Sequence, residues 1–151
     1  GQRVARYAWL RTELDYPNEV VGPKLPTRDF DHVSEAVLAR SRVQNGHLVT
    51  PNGTEYEALV VPAEDSTIRR RFPGLKIIVG APPADDAPTR WKLAGIEFQF
   101  YFNDSGEEKR IALQPGRYEQ WDAWNGKISD YRETEVRLAP NKAMLLRWQQ
   151  R

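Results

Sequence analysis

The 151 residues carry 22 Lys and Arg against 21 Asp and Glu. A charge so nearly balanced offers no basic stripe for a nucleic-acid backbone or an anionic membrane. With no cysteine, disulfides, thiolate metal sites and a cysteine nucleophile are excluded, and no apolar run approaches the length of a membrane span. A hydrophobic content of 40% is enough for a core, though a lean one.

Opening at Gly1 in a strand-like run, the chain reads as a piece of a longer one, with Val4 to Leu10 as its first strand. Arg11 to Arg28 holds three prolines and no clear periodicity, and reads as a long loop. Phe30 to Val33 is expected as a second strand, with Ser34 capping a short helix to about Arg40. A ribbon over Val43 to Glu57 follows, with Asn45-Gly46 and Asn52-Gly53 as turns on either side of His47 to Thr50. Ala58 to Val61 is wholly apolar and closed by Pro62, the pattern of a strand buried on both faces. Glu64 to Phe72 predicts about two helical turns starting near Asp65 or Ser66, and Lys76 to Val79 another buried strand.

Composition changes at Pro82-Pro83, Asp85-Asp86 and Pro88, which marks a linker. Beyond it, Ile96 to Phe102 alternates before ending aromatic. Lys109 to Leu113, Tyr118 to Trp124, Glu133 to Leu138 and Ala143 to Trp148 are short strands separated by turn residues, the signature of an antiparallel β-sandwich. The predicted fold class is therefore α/β plus all-β. A reduced, flavodoxin-like parallel-sheet domain occupies residues 1–80, a linker 81–92 and a β-sandwich domain 93–151.

The residues that could carry chemistry are few. Glu13, Asp15 and Glu19 in the long loop, with Asp29 and Asp31 behind them, could act as an acid and base pair if held roughly 5–10 Å apart. A solvated loop is the plainer reading. His32 and His47 are the only histidines, and a metal would need them to converge with carboxylates; packing accounts for them more simply. There is no phosphate loop, glycine-rich dinucleotide fingerprint or nucleophile elbow. Arg69-Arg70-Arg71 reads as a solvated helix end, and Asn52-Gly53-Thr54 and Asn103-Asp104-Ser105 match the glycosylation pattern at positions where turns want asparagine anyway. The aromatics Trp121, Trp124, Tyr118 and Tyr131 around Asn125-Gly126 are the candidate sugar-stacking group, with core packing as the alternative. Trp121 and Trp124 are three apart, so one is expected inside and one outside. Trp121 is assigned to the core, which leaves Trp124, Tyr118 and Tyr131 as candidate carbohydrate-binding residues. No catalytic residue, metal ligand or cofactor is assigned.

Several stretches carry a resemblance. Leu25-Pro26, Asp29 to Ser34 and Val43 to Pro62 resemble the region that follows the catalytic barrel in glycoside hydrolase family 106, the α-L-rhamnosidase-like proteins of bacteria. Phe98 to Phe102 ending in Asn103, Gln120 to Gly126, and the strand after Leu138-Ala139-Pro140 are similar to that family's C-terminal β-domain. The segment from Pro62 to Lys92 is shorter than the family pattern, and the barrel that bears the acid and base carboxylates has no counterpart here, so no catalytic residue transfers. The resemblance implies a non-catalytic accessory region of a secreted or periplasmic bacterial enzyme. Its partners would be a catalytic barrel or neighbouring segments and, at its edge, carbohydrate, with neither nucleic acid nor membrane involved. A free-standing carbohydrate-binding module and a small hydrolase using loop carboxylates stay open as alternatives.

Overall fold

The computed structural model describes residues 2–11 and 26–149. The chain forms two compact units, one of Ala5–Asp85 and one of Gly1–Val4 with Asp86–Arg151. The run expected as one strand over Val4 to Leu10 is two: β1 (Gln2–Val4) belongs to the second unit and β2 (Tyr7–Arg11) to the first. Arg6 makes the break. Its backbone N–H donates to Asp29 Oδ1 at 3.1 Å, and its guanidinium reaches Asp29 Oδ2 at 2.6 Å and Asp85 Oδ2 at 2.5 Å. With its backbone N–H taken by a side chain, Arg6 lacks the donor that a continuous strand ladder needs.

In the first unit β3 (Phe30–Ser34) leads into α1 (Glu35–Ala39), then a ribbon of β4 (Arg42–Gln44), β5 (His47–Val49) and β6 (Glu55–Tyr56), then β7 (Ala58–Val61), α2 (Ser66–Arg71) and β8 (Lys76–Val79). The sheet order is β3-β2-β7-β8, with every pair parallel, a short form of the doubly wound order 2-1-3-4. Local chemistry sets the punctuation. Val37 N–H donates to Ser34 Oγ at 3.2 Å, and the N–H groups of Thr67 and Ile68 to Asp65 Oδ1 at 2.9 and 3.1 Å, so both helices start on a side-chain cap. Gln44 pairs with His47 across Asn45-Gly46, whose φ angles of 52° and 76° are those a two-residue hairpin turn requires. Side chains alternate across the sheet. Ala8, Leu10, Val33, Leu59 and Val61 pack with Leu38, Leu48, Tyr56 and Phe72, while Tyr7, Ala58 and Val60 meet Trp9, Phe30 and Ile78 on the other face. The apolar strand β7 is buried throughout.

The second unit is antiparallel. The stretch 81–92, read as a linker, closes in a strand, β9 (Thr89–Leu93). It forms a hairpin with β10 (Ile96–Phe102) through Ala94-Gly95, at φ 51° and 78°, and a non-local ladder with β1 on its other side. With β11 (Lys109–Ala112), β12 (Arg117–Trp121), β13 (Ile128–Tyr131), β14 (Glu135–Leu138) and β15 (Ala143–Gln149), the strands form a six-stranded sheet, β1-β9-β10-β15-β12-β13, and a two-stranded sheet, β11-β14. Tyr101, Tyr118 and Leu146 of the larger sheet share a core with Val136 and Leu138 of the smaller one, with Ile111 packed against it: a small β-sandwich.

Strand β10 reverses the usual alternation. Glu97, Gln99 and Tyr101 are buried, as is Asn103 just beyond, while Phe98, Phe100 and Phe102 are half-exposed. The inward polar groups satisfy one another. Gln99 Nε2 donates to Glu97 Oε1 at 3.0 Å and Tyr101 Oη to Gln99 Oε1 at 2.7 Å. Asn103 Nδ2 donates to the carbonyls of Glu107 and Leu138 at 2.7 and 2.9 Å, and its Oδ1 accepts from Ser105 N and Oγ. A fully paired polar row is tolerated inside.

The same parity corrects the assignment of Trp121 to the core. Its Cα partners are Leu145 and Ile128, and its ring meets Phe98 edge-on at 5.3 Å, on the outer face of the sheet. Tyr118, three residues earlier, takes the inward position.

Candidate functional site

Tyr118 and Tyr131 are brought together. They face each other directly across the β12–β13 pair, and both line a cleft of about 730 Å³ at the open end of that hairpin. Trp124 is not part of it. The expected strand Tyr118 to Trp124 stops at Trp121 because Asp122 Oδ1 accepts from Trp124 N at 2.8 Å and Asn125 N at 3.4 Å, a turn built on the side chain. Gly126, at φ 69°, donates back to Asp122 O, and Asp122 N to Lys127 O, which closes the loop. Trp124 is left at its tip, 99% exposed. Tyr118 and Trp121 are three residue steps apart along the strand, about 10 Å, so the ring at the tip and the tyrosines at the open end belong to different places.

The two tyrosines also differ in role. Tyr118 is buried in the sandwich core, and burial pushes its phenol up to about 12, with the nearby Glu97 carboxylate as a lesser cause. Burial likewise raises Tyr101, further than Tyr118, and Tyr131. Tyr131 is half-buried. Each hydroxyl of the facing pair donates to a backbone carbonyl, Tyr118 Oη to Gln114 at 3.0 Å and Tyr131 Oη to Glu135 at 2.7 Å. The rings thus point into the sandwich core, while Arg117, Asp130 and Arg132, one residue along, turn to the other face of the β12–β13 pair, a charged group the sequence reading missed. Arg117 and Arg132 flank Asp130 at 3.7 and 3.4 Å, and Glu133 lies alongside. A signal existed: with Tyr118 opposite Tyr131, hairpin register also brings Arg117 and Asp130 to the same end.

The carboxylate candidates fare differently. Glu13, Asp15 and Glu19 lie outside the described residues. Asp29 is 3% exposed and holds Arg6 through both oxygens. Asp31 accepts from Tyr56 Oη at 3.0 Å. His32 packs tilted against Trp9 and edge-on against Phe30 at ring distances of 5.8 and 5.0 Å, while His47 Nδ1 lies 3.7 Å from Glu55. Among the described residues no group of three or more His, Asp or Glu is placed to hold a metal ion. Arg69 pairs with Glu64, and Arg71 donates to the Ala39 carbonyl while lying over Phe72, so two of the three clustered arginines close helix α2 and its surroundings.

No protein-family model and no curated protein matches the sequence. Among solved structures the chain is similar to a rhamnosidase from Novosphingobium sp. PP1Y, with a TM-score of 0.61 at 13% sequence identity. That similarity covers 99% of this chain and 23% of the rhamnosidase chain. At this identity the likeness is one of fold. It runs through both units and corresponds to under a quarter of a larger protein.

Proposed function

We propose that the chain is a non-catalytic accessory region of a glycoside hydrolase of the α-L-rhamnosidase-like family 106, which packs against the catalytic barrel of the whole protein and shapes the edge of its glycan site. The observation that carries this reading is the match of nearly the entire chain to a minor part of a rhamnosidase. The state of the carboxylates supports it. A glycosidic acid and base pair needs two carboxyl groups facing one bond, whereas Asp29 is committed to Arg6 and Asp31 accepts from Tyr56.

The test is direct. The purified chain, incubated with 4-nitrophenyl α-L-rhamnoside, should release no nitrophenolate above the buffer rate. Release that disappears in Asp31→Asn or Glu13→Gln would make the chain a hydrolase in its own right and end the accessory reading.

A further inference from the structure

We propose that the outer face of the six-stranded sheet is the surface on which the chain meets the catalytic barrel of its parent enzyme. This rests on the accessory reading for the existence of a barrel, and adds which surface meets it. Strand register defines the face. Phe100 pairs with Leu145, Leu145 with Trp121 and Trp121 with Ile128, so one unbroken apolar row crosses β10, β15, β12 and β13. Phe98 and its partner Trp91 on β9 lie one same-face step along, and Phe98 meets Trp121 edge-on at 5.3 Å. None of these six side chains belongs to the sandwich core. Five are half-exposed and Ile128 is 48% exposed.

A strand with water on this side would turn its polar residues outward. Strand β10 does the reverse, and its inward Glu97, Gln99 and Asn103 are satisfied by one another and by backbone carbonyls. Single exposed apolar side chains are ordinary, whereas a contiguous group bordered by polar residues marks an interaction surface. The border is present: the pairs Arg147–Glu119 and Arg117–Asp130, at 3.1 and 3.7 Å, lie on the same face. Size selects the occupant. Five strands at about 4.8 Å by six residues at about 3.4 Å give a face of roughly 500 Å². A stable contact between separate proteins buries more, roughly 800 Å² a side. Both sides together, roughly 1,000 Å², suit domains of one polypeptide, whose contacts run to about 600–1,500 Å². A tethered domain therefore fits this face better than a second copy of the chain does. The rhamnosidase of similar fold, of which 23% is covered, has ample remaining length for such a domain.

Photo-cross-linking in the whole protein that contains the chain provides the test. Benzoylphenylalanine replaces Phe100 or, separately, Ile128; the first exchange keeps an aromatic ring in place and the second falls at an exposed position. Arg137, 62% exposed on the smaller sheet, is the control position. After irradiation and digestion, positions 100 and 128 should each be joined to a peptide of the barrel in the same polypeptide, the product keeping the mass of one chain. Position 137 should give no such product. The inference is overturned if the cross-links stay within residues 1–151, join two copies, reach a domain other than the barrel, or form from neither position. Rhamnoside turnover by the isolated chain would remove the non-catalytic reading and leave the cross-links intact. A barrel that is present but reached from neither position would remove this face alone.

Discussion

The two units solve the same problem in opposite ways. In the parallel unit the strand that defines the core, β7, is apolar at every position, and both of its faces are buried. In the antiparallel unit the central strand β10, one of the two longest, sends Glu97, Gln99 and Tyr101 inward and leaves its phenylalanines on the outer face. A strand with no polar residue has no wrong face to choose. A strand that alternates has two, and which one turns inward depends on what the neighbouring strands bring. Here the inner face was decided by Val136, Leu138, Leu146 and Tyr118, and by polar partners able to satisfy Gln99 and Asn103.

The sharpest contrast comes from Leu59, fully buried in β7. Leu59→Ala should cost about 2–5 kcal/mol. Hydrogen exchange, which reads the units separately, should show the loss in residues 58–61 and their sheet partners. If β7 kept its protection, the parallel unit would not be organised on this strand.

Asn103→Ala should cost roughly 2–3 kcal/mol, because it strands the carbonyls of Glu107 and Leu138 that its amide now satisfies. The loss should appear in the antiparallel unit. A neutral result would mean that solvent reaches those carbonyls and that the inward polar row is not a closed one.

Tyr118 gives a smaller effect with a signature in pH. Its phenol is raised to about 12 in the folded chain against about 10 when unfolded. The folded state therefore holds the proton more tightly. The stability this contributes is complete below about pH 10 and declines as pH rises toward 12. Tyr118→Phe removes one hydrogen bond, to Gln114, and should be about 1 kcal/mol less stable at pH 8. The gap should narrow by pH 11, because the variant has no phenol at this position to ionise. Urea midpoints at the two pH values test this, and a constant gap would place the ring outside the core.

The smallest effects separate the two tryptophans. Trp121→Ala should cost roughly 1–2 kcal/mol through its packing on Phe98. Trp124→Ala, at the exposed tip, should stay within about 0.5 kcal/mol of the parent. Denaturation midpoints that ranked them the other way would reverse the face assigned to β12.

Local chemistry was legible along the chain wherever one residue decides the outcome. Ser34 and Asp65 cap the helices, Asn45-Gly46 makes the hairpin turn, and the unbroken apolar run Ala58 to Val61 becomes a strand with both faces covered. These features follow from hydrogen-bonding reach, from the φ angles glycine and asparagine adopt, and from the absence of any polar side chain to place. The α/β plus β-rich division follows from the same signals. What depended on distant partners was not legible. The split of the first strand at Arg6 needed Asp29 and Asp85, far along the chain. The strand at Thr89–Leu93 needed β1, from the other end of the chain, beside the hairpin it makes with β10. The cleft needed the register that sets Tyr118 against Tyr131 and carries Trp124 away to the tip. Alternation tells which side chains share a face, but only the packed sheets decide which face is the inside, because burial is a property of what covers a strand rather than of the strand.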